Sequence, residues 1–211
     1  VTDDSREVQE GSVFVAVKGY LSDGHDYITT AIQSGAGVIV AQSAADESFQ
    51  GTWLQVPDSR AALSVLADLQ AGSPSADLNI IGITGTNGKT TIAYLIHSIL
   101  QQIRQRAGMI GTIQTHDGTS SVTATHTTPG AIQLQSLLAR MRDNGCGGVA
   151  MEVSSHGLQQ GRTRGIRFKV GVFTNLTKIT SIITVPWRPI LRPRSCSSGK
   201  WQKPTLRAWL S

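Results

Sequence analysis

Cysteine is nearly absent: two residues in 211, Cys146 and Cys196, at no metal-binding or redox spacing. A reduced, cytoplasmic setting is the resulting expectation. No apolar run approaches the ~20 residues required to cross a bilayer. The first residues, VTDDSREV, lack the basic-then-apolar pattern of a secretory signal, so no membrane partner is expected. Their abrupt opening also leads to the expectation that the first domain lacks its beginning. Acidic residues are missing from one region. Residues 179–211 hold six of the 19 Lys and Arg but none of the 14 Asp and Glu, with three of four Trp and four of seven Pro. Residues 1–178 are left with 13 basic and 14 acidic side chains, so the net charge of +5 comes from the last stretch alone. A nucleic-acid surface on the body of the protein is not expected.

What is present suits a packed α/β chain. Hydrophobic residues make up 39% and charged residues 16%, and the length allows one ordinary domain or two small ones. In residues 1–77, SVFVAVKG repeats Val13, Val15 and Val17 with a strand period. DYITTAIQSGAG reads as a short helix closed by Gly35, VIVAQ and TWLQV as strands. PDSRAALSVLADLQAG reads as a capped amphipathic helix with apolar positions at Leu63, Leu66 and Leu69. SPSAD at 73–77 is a polar hinge and the expected domain boundary. Residues 78–178 begin again with the buried strand LNIIGIT. The helix KTTIAYLIHSILQQI follows, with Ile92, Leu95, Ile96, Ile99 and Ile103 on one stripe. AGMIGTI, GGVAMEVSS and FKVGVFTNLT read as strands, and GAIQLQSLLARMRDNG as a helix ending at Gly145. Strand–helix alternation predicts a mostly parallel sheet with flanking helices. No internal repeat is evident.

Between the first strand and helix of that second part lies Gly85-Thr86-Asn87-Gly88-Lys89-Thr90-Thr91. Glycines after a buried strand let backbone N–H groups converge on anionic oxygens, and the helix N-terminus adds positive potential. Lys89 can reach the β- and γ-phosphates and Thr90 can place a hydroxyl on Mg²⁺. The strict G-x-x-x-x-G-K-[ST] pattern fails at one place, Ile83, where its first glycine would stand. A plain strand-to-helix turn would explain Gly85 and Gly88 but not Lys89 followed by two threonines. ATP binding is expected.

A second polar cluster, MEVSSHG, puts Glu152 near the end of a buried strand with Ser154, Ser155 and His156 beyond it. Open α/β sheets bind ligands at the carboxyl ends of their strands. Glu152 is therefore either a second Mg²⁺ ligand beside Thr90 or a strand-end carboxylate that caps a loop. His156 reads more readily as a hydrogen-bonding structural residue than as a base. THTTPG at 125–130 offers hydroxyls that either serve function or cap the next helix. GRTRGIR is a solvated basic turn or an anion clamp.

Taken together, DSREVQEGSVFVAVKGYLSDGHDY, GITGTNGKTT, GMIGTI, HTTPG, MEVSSHGLQQGR and VFTNLT, in this order, resemble the Mur ligase family over about residues 3–178. TTPG with MEVSSHGL points to the branch that extends UDP-N-acetylmuramoyl-L-alanyl-D-glutamate with a diamino acid. The resemblance implies a UDP-sugar-binding domain at 1–77 and an ATP-binding central domain, truncated, at 78–178. Ser5, Tyr20, Leu21 and Ser22 would hold the uridine-diphosphate end. Gly85 to Thr91 would bind ATP, with Lys89 and Glu152 as catalytic residues. Thr90 and Glu152 would bind Mg²⁺. Thr127, Thr128, Ser154, Gln160 and Arg162 would grip the muramoyl-dipeptide, while His126 stands where relatives often have Asn. ATP would convert the D-glutamate carboxylate to an acyl phosphate for attack by the amine of meso-diaminopimelate or L-lysine. Meso-diaminopimelate is favoured, and a monomer is expected. A non-catalytic nucleotide- or UDP-sugar-binding remnant is the alternative. A folylpolyglutamate synthase would share the loop but not the DSREVQEGSVFVAVKG block.

After FTNLT the family continues with a segment like DHLDYHGTM. Here the chain reads Ile179-Thr180-Ser181-Ile182-Ile183-Thr184-Val185-Pro186-Trp187. Codons GAT-CAC-CTC-GAT-TAT-CAC-GGT-ACC-ATG read one nucleotide late give this run throughout. Residues 179–211 are therefore expected to be out-of-frame translation. The chain is expected to be inactive and poorly folded beyond its N-terminal domain, since a metal-binding histidine, a lysine and the closing domain of relatives would be lost. Sequencing the encoding DNA past codon 178 should reveal the family segment in the neighbouring frame; an intact frame without it ends the idea.

Overall fold

A computed structural model describes residues 1–19, 22–104 and 106–176. The out-of-frame expectation for 179–211 lies outside them. Val13–Val15 (β1), Val38–Ala41 (β2) and Thr52–Gln55 (β3) form a three-stranded parallel sheet in the order β1-β2-β3. The β-branched run thus yields a shorter strand than its period suggests, because the chain turns so that Lys18 bridges Asp23. Between β1 and β2 lies the helix Ile28–Gln33 (α1), preceded by a 3₁₀ turn at Gly24–Tyr27. Phe14, Ile28, Ala31 and Ile39 close the core on that side. The helix Ser59–Gln70 (α2) starts where the Asp58 side chain accepts from the Ala61 N–H at 3.0 Å, a satisfied N-cap.

Within the expected hinge at 73–77, Ala76 and Asp77 are exposed while its middle is packed. Pro74 and Ser75 are buried in a 3₁₀ turn, Pro74–Ala76, and Ser75 Oγ accepts from the Arg167 N–H at 3.1 Å. The second sheet has the order β7-β6-β5-β8-β4-β9. Its strands are Asn79–Thr84 (β4), Ala107–Ile110 (β5), Gln114–His116 (β6), Ser121–Thr123 (β7), Gly148–Glu152 (β8) and Phe168–Phe173 (β9). The four strands β5, β8, β4 and β9 are parallel; β6 and β7 add an antiparallel hairpin that the periodicity does not show. Asp117 organises that hairpin, accepting from the Ser120 and Thr119 N–H groups, and these bonds hold its pKa down to about 2.

Helices cover both faces. Lys89–Arg104 (α3) packs on one side, its Ala93 meeting Ile83 and Ala150 of the sheet. Ala131–Asp143 (α4) covers the other, where Leu134, Leu138 and Met141 meet Ile80, Val149 and Met151. Alternation along β8 sends Val149 and Met151 to α4 and Ala150 to α3, the two-residue period of a strand. A strand buried on both faces reads as continuously apolar, and all five residues of β8 are buried. A short helix, Ser155–Gln159 (α5), follows it.

The stripe expected on α3 needs correction. Leu95, Ile99 and Ile103 are 59%, 55% and 69% exposed, whereas Ala93 and His97 face the sheet. The apolar arc is wider than the buried one, and small Ala93 plus His97, whose Nε2 donates to Ala107 O at 3.0 Å, fit closer to the sheet. Burial pushes the His97 pKa down. Residues 78–176, expected to fold poorly, form a sheet with buried side chains on both faces. Among the described residues β9 is an edge, and Val170, Phe173 and Leu176 stand exposed on or just after it. No helix among the described residues is long and apolar enough to cross a membrane.

The two sheets meet where α2 lies along α4. Ser64 Oγ bonds Gly161 O at 2.8 Å, and Arg142 Nη1 donates to Gly72 O at 3.2 Å. Leu138→Ala, in the fully buried core, should lower unfolding free energy by about 2–5 kcal/mol. Leu69→Ala, at a 64% exposed position, should stay within about 0.5 kcal/mol in the same urea titration.

Candidate functional site

β4 delivers the chain to the loop at its carboxyl end. Gly85 takes φ +135° and Gly88 φ +83°, after which α3 begins at Lys89. The left-handed region strongly favours glycine, so the loop's path depends on these residues. The Lys89 ammonium reaches back, donating to Gly85 O at 2.8 Å and Thr86 O at 3.0 Å. Its charge therefore sits inside the loop. Thr86 and Asn87 form the turn between the glycines, and Thr91 is exposed on the first turn of α3.

Parallel pairing of β4 with β8 sets Ile83 beside Glu152. The register thus carries the carboxylate to the base of the loop, as the strand-end argument anticipates. Glu152 is fully buried. Burying an unpaired carboxylate is costly, and here three donors surround it. Thr90 Oγ1 lies 3.0 Å from its Oε2; the Thr112 N–H donates to Oε1 at 2.9 Å, and Thr112 Oγ1 lies 3.0 Å from Oε2. Thr112 comes just after β5, whose Ile110 pairs with Met151. Three neighbouring strand ends therefore converge on one carboxylate. Gly111 permits this, because a Cβ there would stand 2.7 Å from Glu152 Oε1.

The hydroxyls of THTTPG join the same constellation. Thr127 Oγ1 is 3.1 Å from Thr112 Oγ1, so Thr127 can donate to Thr112 while Thr112 donates to the carboxylate. Thr128 is buried; its hydroxyl accepts from the Ser154 N–H at 2.9 Å and lies 3.2 Å from Glu152 O. Ser154 caps α5, accepting from the Gly157 N–H at 3.0 Å. Arg162 donates to Gln160 Oε1 at 2.7 Å and to Thr128 O at 2.5 Å. Hence GRTRGIR contributes an arginine tied to the threonine loop rather than a solvated turn. His156 is exposed on α5. His126, also exposed, has Nδ1 3.1 Å from Thr125 Oγ1.

Two adjoining cavities lie beyond this cluster. The larger, about 650 Å³, is lined by Ser5, Ser22, Tyr27, Arg60 and Gln160 among others. The smaller, about 290 Å³, includes His126, Gln160 and Arg162. Asp3, Val17, Arg60 and Gln160 line both. Burial pushes the Asp3 carboxyl pKa up, with Asp4 and Glu7 adding like charge. Tyr20 and Leu21 lie outside the described residues. Thr112 on the carboxylate and Asp3 and Arg60 in the cavity walls are parts of the candidate site that sequence reasoning missed. Only Thr112 carried a signal, as the first polar residue after the strand in GMIGTI.

Among the described residues no group of three His, Cys, Asp or Glu could hold a metal ion. The family profile described as Mur ligase middle domain matches residues 83–179, and that described as Mur ligase family, catalytic domain, matches residues 1–71. The chain belongs to the Mur ligase family. This is a family of ATP-dependent ligases. Curated relatives named UDP-N-acetylmuramoyl-L-alanyl-D-glutamate--2,6-diaminopimelate ligase are similar to it. That of Geobacter metallireducens is 43% identical over 175 residues, covering 83% of this chain and 34% of the relative. That of Geobacillus thermodenitrificans is 45% identical over 175 residues, covering 83% and 35%. A solved structure of a ligase of that name superposes with a TM-score of 0.67 at 29% identity, over 83% of this chain and 36% of the other. MurF ligase from Thermotoga maritima in complex with ADP gives 0.53 at 25%, over 82% and 36%. The chain spans about a third of the length of these Mur ligases.

Thr128→Val keeps the shape of the buried threonine but leaves the Ser154 N–H without its acceptor. It should cost about 1–3 kcal/mol of stability in chemical unfolding, and Thr128→Ser should restore most of it. Equal stability of all three proteins would contradict the hydrogen-bond assignment.

Proposed function

We propose that these residues are the UDP-sugar-binding (1–77) and ATP-binding (78–178) portions of a peptidoglycan-precursor ligase. It would join a diamino acid to UDP-N-acetylmuramoyl-L-alanyl-D-glutamate with release of ADP and phosphate. One observation carries the reading: Glu152 is held between Thr90 of the phosphate loop and Thr112, which in turn meets Thr127 of the threonine loop. Nucleotide-facing and substrate-facing hydroxyls thereby share one carboxylate. The names of the relatives favour 2,6-diaminopimelate over L-lysine.

Each residue then has a task. The Gly85–Thr91 loop cradles the triphosphate, and the Lys89 ammonium exchanges loop carbonyls for phosphate oxygens. Thr90 and Glu152 fit a Mg²⁺ site: both offer hard oxygen, 3.0 Å apart, and Mg²⁺ typically takes one or two protein ligands with the rest from phosphate and water. When bound, Mg²⁺ would neutralise charge on the transferring phosphoryl group. A substrate carboxylate oxygen bonds to the γ-phosphorus as the bond to the ADP oxygen breaks. The amine then attacks the acyl carbon, inorganic phosphate leaves, and the amine gives up its proton. The chain's contribution is positioning and charge stabilisation. Thr127, Ser154, Gln160 and Arg162 hold the muramoyl-dipeptide, with buried Thr128 orienting Ser154. Ser5 and Ser22 hold the uridine-diphosphate end in the larger cavity; the same role proposed for Tyr20 and Leu21 falls on residues outside the described ones. The setting is cytoplasmic, and the protein acts as a monomer.

At about a third of its relatives' length, the 211-residue chain is expected to bind without ligating. Isothermal titration should show ATP·Mg²⁺ uptake that weakens at least about tenfold in Lys89→Met, the loss of charge-assisted hydrogen bonds. Binding of the UDP-muramoyl-dipeptide should be unchanged. Equal ATP affinity in the two proteins overturns the loop assignment, and measurable ligation by the chain alone overturns its inactivity.

A further inference from the structure

We infer that Asn175 is a positioning residue that straps the phosphate loop in its working shape, resting on the reading of that loop as a nucleotide site. After β9 the Thr174 N–H still donates to Thr84 O at 2.9 Å, the last regular contact between the two strands. The next residues then bond the loop itself. The Thr86 N–H donates to Asn175 O at 2.9 Å. The Asn87 N–H donates to Asn175 Oδ1 at 3.0 Å, and Asn175 Nδ2 returns a bond to Asn87 O at 3.2 Å. Thr174 Oγ1 donates to the same carbonyl at 2.6 Å. The side-chain amide here matches the N–H and C=O of one loop residue, Asn87, acceptor to donor and donor to acceptor, as another strand would.

The strap also accounts for Gly85. A Cβ there would run into Thr174 Oγ1 and stand 2.9 Å from Asn175 O, so the loop and the strap are fitted to each other. Two consecutive residues, Thr86 and Asn87, are held by Asn175, immediately before Gly88 and Lys89. Their orientation decides where the following amides and the ammonium point. Asn175 touches no substrate; it acts through the loop.

Amide hydrogen exchange and ATP·Mg²⁺ titration on the 211-residue chain, with Asn175→Ala and Asn175→Asp, test this. In Asn175→Ala, exchange at Asn87 should quicken by about tenfold, the loss of roughly one net hydrogen bond, with β4 and β8 amides unchanged. ATP affinity should fall by a similar factor. Asn175→Asp keeps the acceptor for the Asn87 N–H, so that amide should stay protected. It loses the donor to Asn87 O and adds negative charge beside the loop, so ATP affinity should still fall. That split between protection and affinity is not what a merely structural defect produces. Unchanged exchange at Asn87 in Asn175→Ala overturns the strap, as does quickened exchange with undiminished ATP affinity. If the unmodified chain takes up no ATP, the nucleotide reading falls instead, and exchange at Asn87 alone decides whether the strap exists.

Discussion

A carboxylate with no exposed surface organises this molecule. Glu152 sits at the end of a strand buried throughout, and its oxygens are satisfied by a hydroxyl from Thr90 after the glycine loop and by an amide and hydroxyl from Thr112. Removing a carboxylate from water is tolerable only with such partners. Thr90 follows β4 and Thr112 follows β5, so the requirement to satisfy one side chain on β8 fixes these three strands relative to one another. The small residues follow from it: Gly111 is glycine because the carboxylate passes where a Cβ would be.

A second constraint acts where the two sheets meet. The segment after α5 serves both. Gly161 accepts from Ser64 on α2, Arg164 pairs with Asp58 at the α2 cap at 2.8 Å, and Arg162 holds the carbonyl of Thr128. The exposed Arg164–Asp58 pair adds little stability by itself. The cavities lie along this seam, so Gln160 and Arg162 belong to the junction as much as to any pocket. On the proposed reading, substrate recognition and sheet-to-sheet packing would use the same short stretch of chain.

The parts readable from sequence are those in which adjacent residues carry the chemistry. Gly85, Gly88, Lys89 and Thr90 stand side by side, and Glu152 ends an apolar run, so loop and carboxylate were recognisable. Their meeting required the β4–β8 pairing, which no local pattern contains. Thr112 and Asn175 were missed for the same reason: each acts on a partner 40 or 88 residues away. The β6–β7 hairpin escaped because Gln114–His116 and Ser121–Thr123 are too short and polar to show a period; Asp117 makes the turn instead. On α3, composition gave the helix but not its inward side, since buried His97 is polar and exposed Leu95 is apolar.

The position of β8 between β4 and β5 has a consequence for how the protein comes into being. Both neighbours leave the ribosome before it, yet they flank it and cannot adopt their final spacing until it arrives. Thr90 waits 62 residues for its carboxylate, a separation that raises contact order and slows assembly. Throughout that interval the glycine loop and the bare flanks of two apolar strands are nascent-chain surface, so the shielding of hydrophobic edges during translation matters more for this topology than for a sheet laid down in sequence order.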